Sequence, residues 1–347
     1  MTPHIQIRSF VLGGNHGQFL QAAGLLDAVS ELRPDARVTQ AGTHNHLGRE
    51  LKVQARMLLL PKFLYMQWLW RRQIPMSAKN EAAAIRVYGS DQVWSFTNPA
   101  FDADPYFFGQ GDDAEKVAYA PSMGYVPDDF QAPDWMVEGL QRFKAISVRD
   151  EGTKAVIERV TGRDDITLVS DPAFFLKEAR LPDEATRDGG LAIYCTKPRL
   201  LLEQVMASAG GKMLDGVGPV RCYGYAPKRQ ALQQLPQQFV SPRALVRHYA
   251  KARFVLTSTF HGVVMALMTG TPYLALHSPN LEARLQSPVG RAGVPPWRMR
   301  RMEEMKDISA ADMERLMSPE GIDRAAITRE VEASRAWLGR ALGATGE

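Results

Sequence analysis

The segment Ile5 to Leu12 is a compact apolar run that leads straight into Gly13-Gly14-Asn15-His16-Gly17, after which Phe19, Leu20, Ala23, Leu26 and Val29 recur at helical spacing. A short strand, a glycine turn and an amphipathic helix in that order form the opening of a βαβ unit. The alternation recurs: Ala84 to Tyr88, Lys116 to Ala120, Ala145 to Val148 and Ile166 to Val169 read as short strands separated by loops or helical segments. Such alternation predicts a parallel sheet covered by helices, an α/β architecture.

A single core does not account for 347 residues, which fit two domains of ordinary size. The stretch Lys177 to Gly190, KEARLPDEATRDGG, has charge and turn residues without apolar periodicity and is the expected linker. It divides the chain into a first domain over 1–180 and a second over 190–305, with helices over 306–347 that pack back on the first domain. In the second domain Leu191 to Cys195, Val220 to Tyr223, Phe254 to Thr257 and Tyr273 to Leu276 read as strands, Arg243 to Ala252 as a helix, and Ala310 to Leu342 as a helical tail. A formal charge of +4 suits an anionic substrate and lacks the clustered basic face of a nucleic-acid binder. Two cysteines, Cys195 and Cys222, lie in apolar stretches and form neither a disulfide framework nor a metal-ligand pattern. The N-terminus lacks the charged start and continuous apolar run of a secretory signal, so a cytoplasmic protein is expected.

Chemistry-bearing residues fall at strand ends, where open α/β sheets bind ligands. In RFVLTSTFHGVVMALMTGTPYLAL (Arg253 to Leu276) the strand ends at Thr257 or Ser258 and a helix begins near Gly262, so His261 stands at the mouth of a βα turn. A helix N-terminus there favours an anion, with Ser258, Thr259 and the Gly262 backbone as further donors. The alternative is an N-cap at Ser258 or Thr259 and a packed His261. After Tyr88 comes Gly89-Ser90-Asp91-Gln92-Val93-Trp94-Ser95. Asp91 would orient or deprotonate a hydroxyl, or else close an Asx-turn. Trp94 would stack on a sugar, or else belong to the core. Arg149 would clamp a carboxylate with its planar fork, or else pair with a neighbouring acid. His44 and His46 lack a third ligand, and no metal is expected.

Taken in order, these pieces resemble the polysaccharide pyruvyl transferase family. The resemblance rests on Asn15-His16-Gly17 with Leu20-Gln21-Ala22, on Gly89 to Trp94, and on Ala118-Tyr119-Ala120-Pro121-Ser122-Met123-Gly124. Ile146-Ser147-Val148-Arg149-Asp150, Ser170-Asp171-Pro172 and Ser258 to Val263 complete it, so that it runs from the first strand to Leu276. It implies two Rossmann-like domains facing across a cleft, like the GT-B glycosyltransferases, and a pyruvate ketal built on a sugar from phosphoenolpyruvate as co-substrate, with no other cofactor. It places His261 on the family's essential histidine and Arg149 on a donor-binding arginine. Asp91 would act on the acceptor, and Asn15, His16, Gln92 and Trp94 would bind it. Members of the family often carry an arginine two residues before that histidine, where this chain has Thr259. Balancing charge is therefore expected from Lys197, Arg221, Arg284 or Arg291.

The expected acceptor is a sugar of a surface polysaccharide or a lipid-linked oligosaccharide precursor. Two rival readings are a GT-B glycosyltransferase using a nucleotide sugar and a glycan-binding member without chemistry. Arg56 to Arg72, with aromatic residues interleaved among Arg56, Lys62, Arg71 and Arg72, suits peripheral contact with an anionic membrane face, or else forms a helix buried between the domains. It is too short and too interrupted to span a bilayer.

Overall fold

A computed structural model of the chain describes residues 2–12, 14–42, 60–97, 103–111, 113–177, 187, 189–195, 198–223 and 240–344. The first domain contains β1 (His4–Arg8), α1 (His16–Leu32), β2 (Arg37–Ala41), α2 (Leu60–Gln73), β3 (Ile85–Tyr88), β4 (Glu115–Ala118), α3 (Asp134–Gln141), β5 (Ala145–Val148), α4 (Glu151–Thr161) and β6 (Thr167–Leu168). The second contains β7 (Leu191–Tyr194), α5 (Pro198–Met206), β8 (Val220–Cys222), α6 (Pro242–Lys251), β9 (Phe254–Thr257), α7 (Phe260–Thr269), β10 (Tyr273–Leu276), α8 (Pro279–Leu285), α9 (Pro288–Gly293) and β11 (Met299–Arg300). The tail holds α10 (Ala310–Met317) and α11 (Arg324–Ala341).

All paired strands run parallel, in the orders β2-β1-β3-β4-β5-β6 and β11-β10-β9-β7-β8. Sheets of this kind are covered on both faces, which is why β1, β3, β7 and β9 are buried along their whole length. Each order reverses once: the chain leaves β1 for β2 on one side and returns to β3 on the other, and likewise β7 for β8 and then β9. The loops after β1, β3 and β9 thus diverge from topological switch points, where α/β sheets open a crevice.

Several boundaries differ from the sequence reading, and three of the differences have a plain local cause. The strand expected over Ile5 to Leu12 ends at Arg8, and Leu12 turns into the left-handed region with φ 59°. Helix α7 starts at Phe260 rather than near Gly262, because Thr259 caps it. The tail over 310–342 is two helices, broken where Pro319 cannot continue α10 and Gly321 adopts φ 75°. Helix α11 lies against the first domain: the Ser170 amide donates to Ser334 Oγ at 2.8 Å, Arg33 donates to the Leu342 carbonyl at 2.8 Å, and Arg335 pairs with Glu31. Most of the expected linker, 178–186 and 188, lies outside the described residues. The domains also meet directly, through the Glu151 amide and the Gln286 carbonyl at 3.0 Å and through Arg243 and Asp27 at 3.2 Å.

Candidate active site

The loop after β3 turns sharply beneath the cleft. Gly89 has φ 118°, and a Cβ there would stand 2.2 Å from the Tyr119 carbonyl oxygen, so only glycine passes. Asp91 adopts φ 74°, a left-handed conformation unusual for a residue with a side chain, and is buried with Oδ1 accepting the Gln92 amide at 2.9 Å. The bond is to the adjacent amide rather than to the one two residues on, so it is not the Asx-turn offered as the alternative, and the carboxylate lies close enough to His261 of the second domain to favour the protonated imidazole.

His261 occupies the first turn of α7, whose cap is Thr259 Oγ1 accepting the Gly262 amide at 3.0 Å. The ring packs on the N-terminus of α1 so closely that a Cβ on Gly17 would lie 2.0 Å from Nδ1. Only 6% of His261 is exposed, and its Nε2 is buried with no hydrogen-bond partner among the described residues. Burial drives its pKa down to about 3; Asp91 opposes the shift, and Arg284 and Arg149 add to it. The imidazole is neutral at neutral pH, with one nitrogen able to donate and the other to accept.

Two guanidinium groups flank the same phenyl ring: Arg149 Cζ stands 4.3 Å and Arg284 Cζ 4.4 Å from the Phe260 centroid. Arg149, at the end of β5, is fully buried and donates through Nη1 to Asp171 Oδ2 at 2.8 Å, so the pair it forms is interior rather than with the adjacent acids at the surface. Its Nε and Nη2 have no partner among the described residues. Arg284, on α8, is partly exposed, while its Nε is buried and unpartnered among those residues. Burial first, and then Arg149, lower it to about 10, a shift that its partial solvent access tempers, and it remains a cation at neutral pH. Ser90 Oγ, Ser170 Oγ and Asp150 Oδ2 are likewise buried and unpartnered among the described residues. Buried polar groups are costly when unsatisfied, and a cluster of such donors and acceptors is the ordinary preparation for a polar ligand.

The fold thus brings His261, Asp91 and Arg149 together. It gives several other expected site residues structural work. Thr259 spends its hydroxyl on the cap, and Gly262 lies where a Cβ would meet Thr257 Oγ1 at 1.9 Å, so strand and helix can approach. Ser258 is half-buried at the same turn, its amide on the Tyr194 carbonyl at 3.4 Å. Asn15 caps α1 by accepting the Gly17 amide at 2.8 Å. His16 is wholly buried with Nε2 at 3.1 Å from the Val240 carbonyl, and Trp94 is wholly buried, donating to the Phe107 carbonyl at 2.8 Å and stacked on Phe108. Neither offers a face to a sugar, so both leave the acceptor set. Gln92 lines a cavity of about 590 Å³ with Thr97, Tyr125, Ser278 and Asn280.

Of the four cations expected to replace the arginine missing at Thr259, Arg284 alone among the described residues joins His261 and Arg149. Arg221 is bound to the Gly189 carbonyl at 2.5 Å and Arg291 to Glu151 at the surface, while Lys197 lies outside the described residues, as do His44 and His46. Phe260 and Gly17 stand in the motifs of the sequence, but their part in the site does not show there, because the contact of Gly17, in the first turn of α1, with His261 spans the two domains. Among the described residues no group of three His, Cys, Asp or Glu could hold a metal ion, and no helix is long and apolar enough to cross a membrane.

The family described as polysaccharide pyruvyl transferase matches residues 15–276. No curated protein matches the chain. Among solved structures, Anabaena HepE in complex with UDP-glucose is similar at a TM-score of 0.54 and 11% identity, over 99% of this chain and 100% of that one. A Listeria monocytogenes protein described as a UDP-N-acetylglucosamine 2-epimerase is similar at 0.52 and 13%, over 97% of both chains. At such identities the likeness shows the fold: two Rossmann-like domains facing across a cleft, as in the GT-B glycosyltransferases.

Proposed function

The chain belongs to the polysaccharide pyruvyl transferase family, and from that premise we propose that it transfers the pyruvyl group of phosphoenolpyruvate to a sugar of a surface polysaccharide or its precursor, closing a pyruvate ketal. The observation that carries this reading is the cluster of His261, Arg149 and Arg284, carried by the segments that follow β9, β5 and β10, with buried nitrogens that no described residue satisfies. Phosphoenolpyruvate has two anionic ends, and the cluster has two guanidinium groups on one phenyl ring to meet them.

In the proposed reaction an acceptor hydroxyl adds to the central carbon of the enol phosphate while the methylene carbon takes up a proton, which leaves a tetrahedral phosphoketal. The carbon–oxygen bond to phosphate then breaks, and a second hydroxyl of the sugar forms the other ketal bond. Of the two hydroxyl protons, one ends on the methyl group and one on the released phosphate. Asp91 positions the acceptor hydroxyl, Arg149 and Arg284 hold carboxylate and phosphate, and His261 donates a hydrogen bond to the leaving phosphate from its neutral form. As the phosphate accumulates charge His261 also becomes a better proton carrier, because a neighbouring anion raises an imidazole pKa. The chemistry requires no metal.

The test is phosphate release from phosphoenolpyruvate with a panel of sugar acceptors. Acceptor-dependent release is expected from the wild type, and a fall of at least about a hundredfold from His261→Ala. Turnover of a nucleotide sugar without release from phosphoenolpyruvate would replace this reading with that of a glycosyltransferase. Full activity in His261→Ala would remove His261 from the chemistry.

A further inference from the structure

Helix α2 has two faces of opposite character. Phe63, Met66, Leu69 and Trp70 are buried, with Trp70 edge-on to Phe19 of α1 at 5.2 Å, and the Gln67 amide donates to the Leu12 carbonyl. The other face does the reverse. Leu64, Tyr65, Trp68, Arg71 and Arg72 share one exposed stripe, at the spacing that places residues on a single side of a helix. Leu64 is 56% and Trp68 54% exposed, values that decide against a helix buried between the domains. The Tyr65 and Trp68 rings stack at 6.0 Å, and Arg72 Cζ lies 5.5 Å from the Trp68 centroid.

We propose that this stripe is a docking surface for an anionic membrane leaflet. The charge pattern selects that occupant: α2 contains no acidic residue, and its apolar stripe ends in two exposed arginines. Tryptophan and tyrosine rings sit at the headgroup level of a bilayer, where arginine meets lipid phosphate. The helix is also tied to the site's own elements, because Gln67 is anchored to the Leu12 carbonyl in the loop that leads into α1, and the first turn of α1 packs Gly17 against His261. Docking there holds the first domain on the membrane with the cleft beside it, within reach of a lipid-linked acceptor. The nature of that acceptor rests on the transferase reading above; the docking does not.

The test is sedimentation of the full chain with vesicles of phosphatidylcholine alone and of equal parts phosphatidylcholine and phosphatidylglycerol. Association with the anionic vesicles only is expected. The double variants Leu64→Ser with Trp68→Ala, and Arg71→Gln with Arg72→Gln, each weaken it by about tenfold or more, while their unfolding midpoints stay those of the wild type. Phosphate release toward a soluble acceptor, followed in parallel, is unchanged in both variants, so failure of docking is separable from failure of the transferase reading. The proposal is overturned if the wild type ignores anionic vesicles, or if neither double variant weakens binding. It is overturned equally if the stripe proves to bind a second copy of the chain, seen as a concentration-dependent dimer that Trp68→Ala abolishes.

Discussion

A buried imidazole held neutral by its surroundings ties the proposed chemistry to stability at the level of one residue. His261 has a folded-state pKa near 3 against about 6.5 in an unfolded chain, so between those values the unfolded state binds a proton that the folded state refuses. Its contribution is fully present above about pH 6.5 and is lost as the pH falls toward 3. Between about pH 7 and about pH 5 this single group accounts for about 2 kcal/mol of lost stability. Urea unfolding of His261→Gln, which has no such proton to refuse, is therefore expected to fall less steeply with acid than that of the wild type, and parallel curves would contradict the assignment. Arg149 and Arg284 act in the same direction as burial, so the residues that would hold an anionic donor also keep the histidine neutral until the donor arrives.

At the scale of elements, capping divides the residues of the α7 turn between structure and chemistry. Thr259 spends its hydroxyl on the Gly262 amide, and Thr259→Ala is expected to cost about 1 kcal/mol of unfolding free energy while the KM for phosphoenolpyruvate changes little. A large rise in that KM would instead make the hydroxyl a donor ligand. The strand–turn–helix units were legible because their signals are local: β9, the glycine turns and the periodicity of α1 each lie within a few residues. Strand β2, RVTQA, was missed, since its polar alternation is that of a surface segment and only pairing with β1 buries it. Trp94 is ambiguous in the sequence, between a sugar face and the core, for a related reason: the partners that settle it in the core, Phe107 and Phe108, come from a turn more than ten residues on.

At the scale of the whole molecule the site exists only because two sheets reverse their strand order opposite one another. Strand order is a property of long-range pairing, so the crevice could be expected from fold class but its occupants could not be ranked from sequence. Arg284 shows the consequence: four cations were equivalent in the sequence, and the path from β10 through α8 carries this one onto Phe260 beside Arg149. The site also joins the domains, since His261 packs on Gly17 and Glu151 meets Gln286, and a shift between the two halves would separate Asp91 from His261. The most direct measurement is a calorimetric titration of the full chain with phosphoenolpyruvate in the absence of acceptor, for the wild type and for Arg284→Gln. The account predicts one saturable site in the wild type, weakened about ten- to a hundredfold by the substitution, in line with the loss of a hydrogen bond to a charged group. Equal binding by both proteins, or binding of UDP-glucose with none of phosphoenolpyruvate, would contradict it.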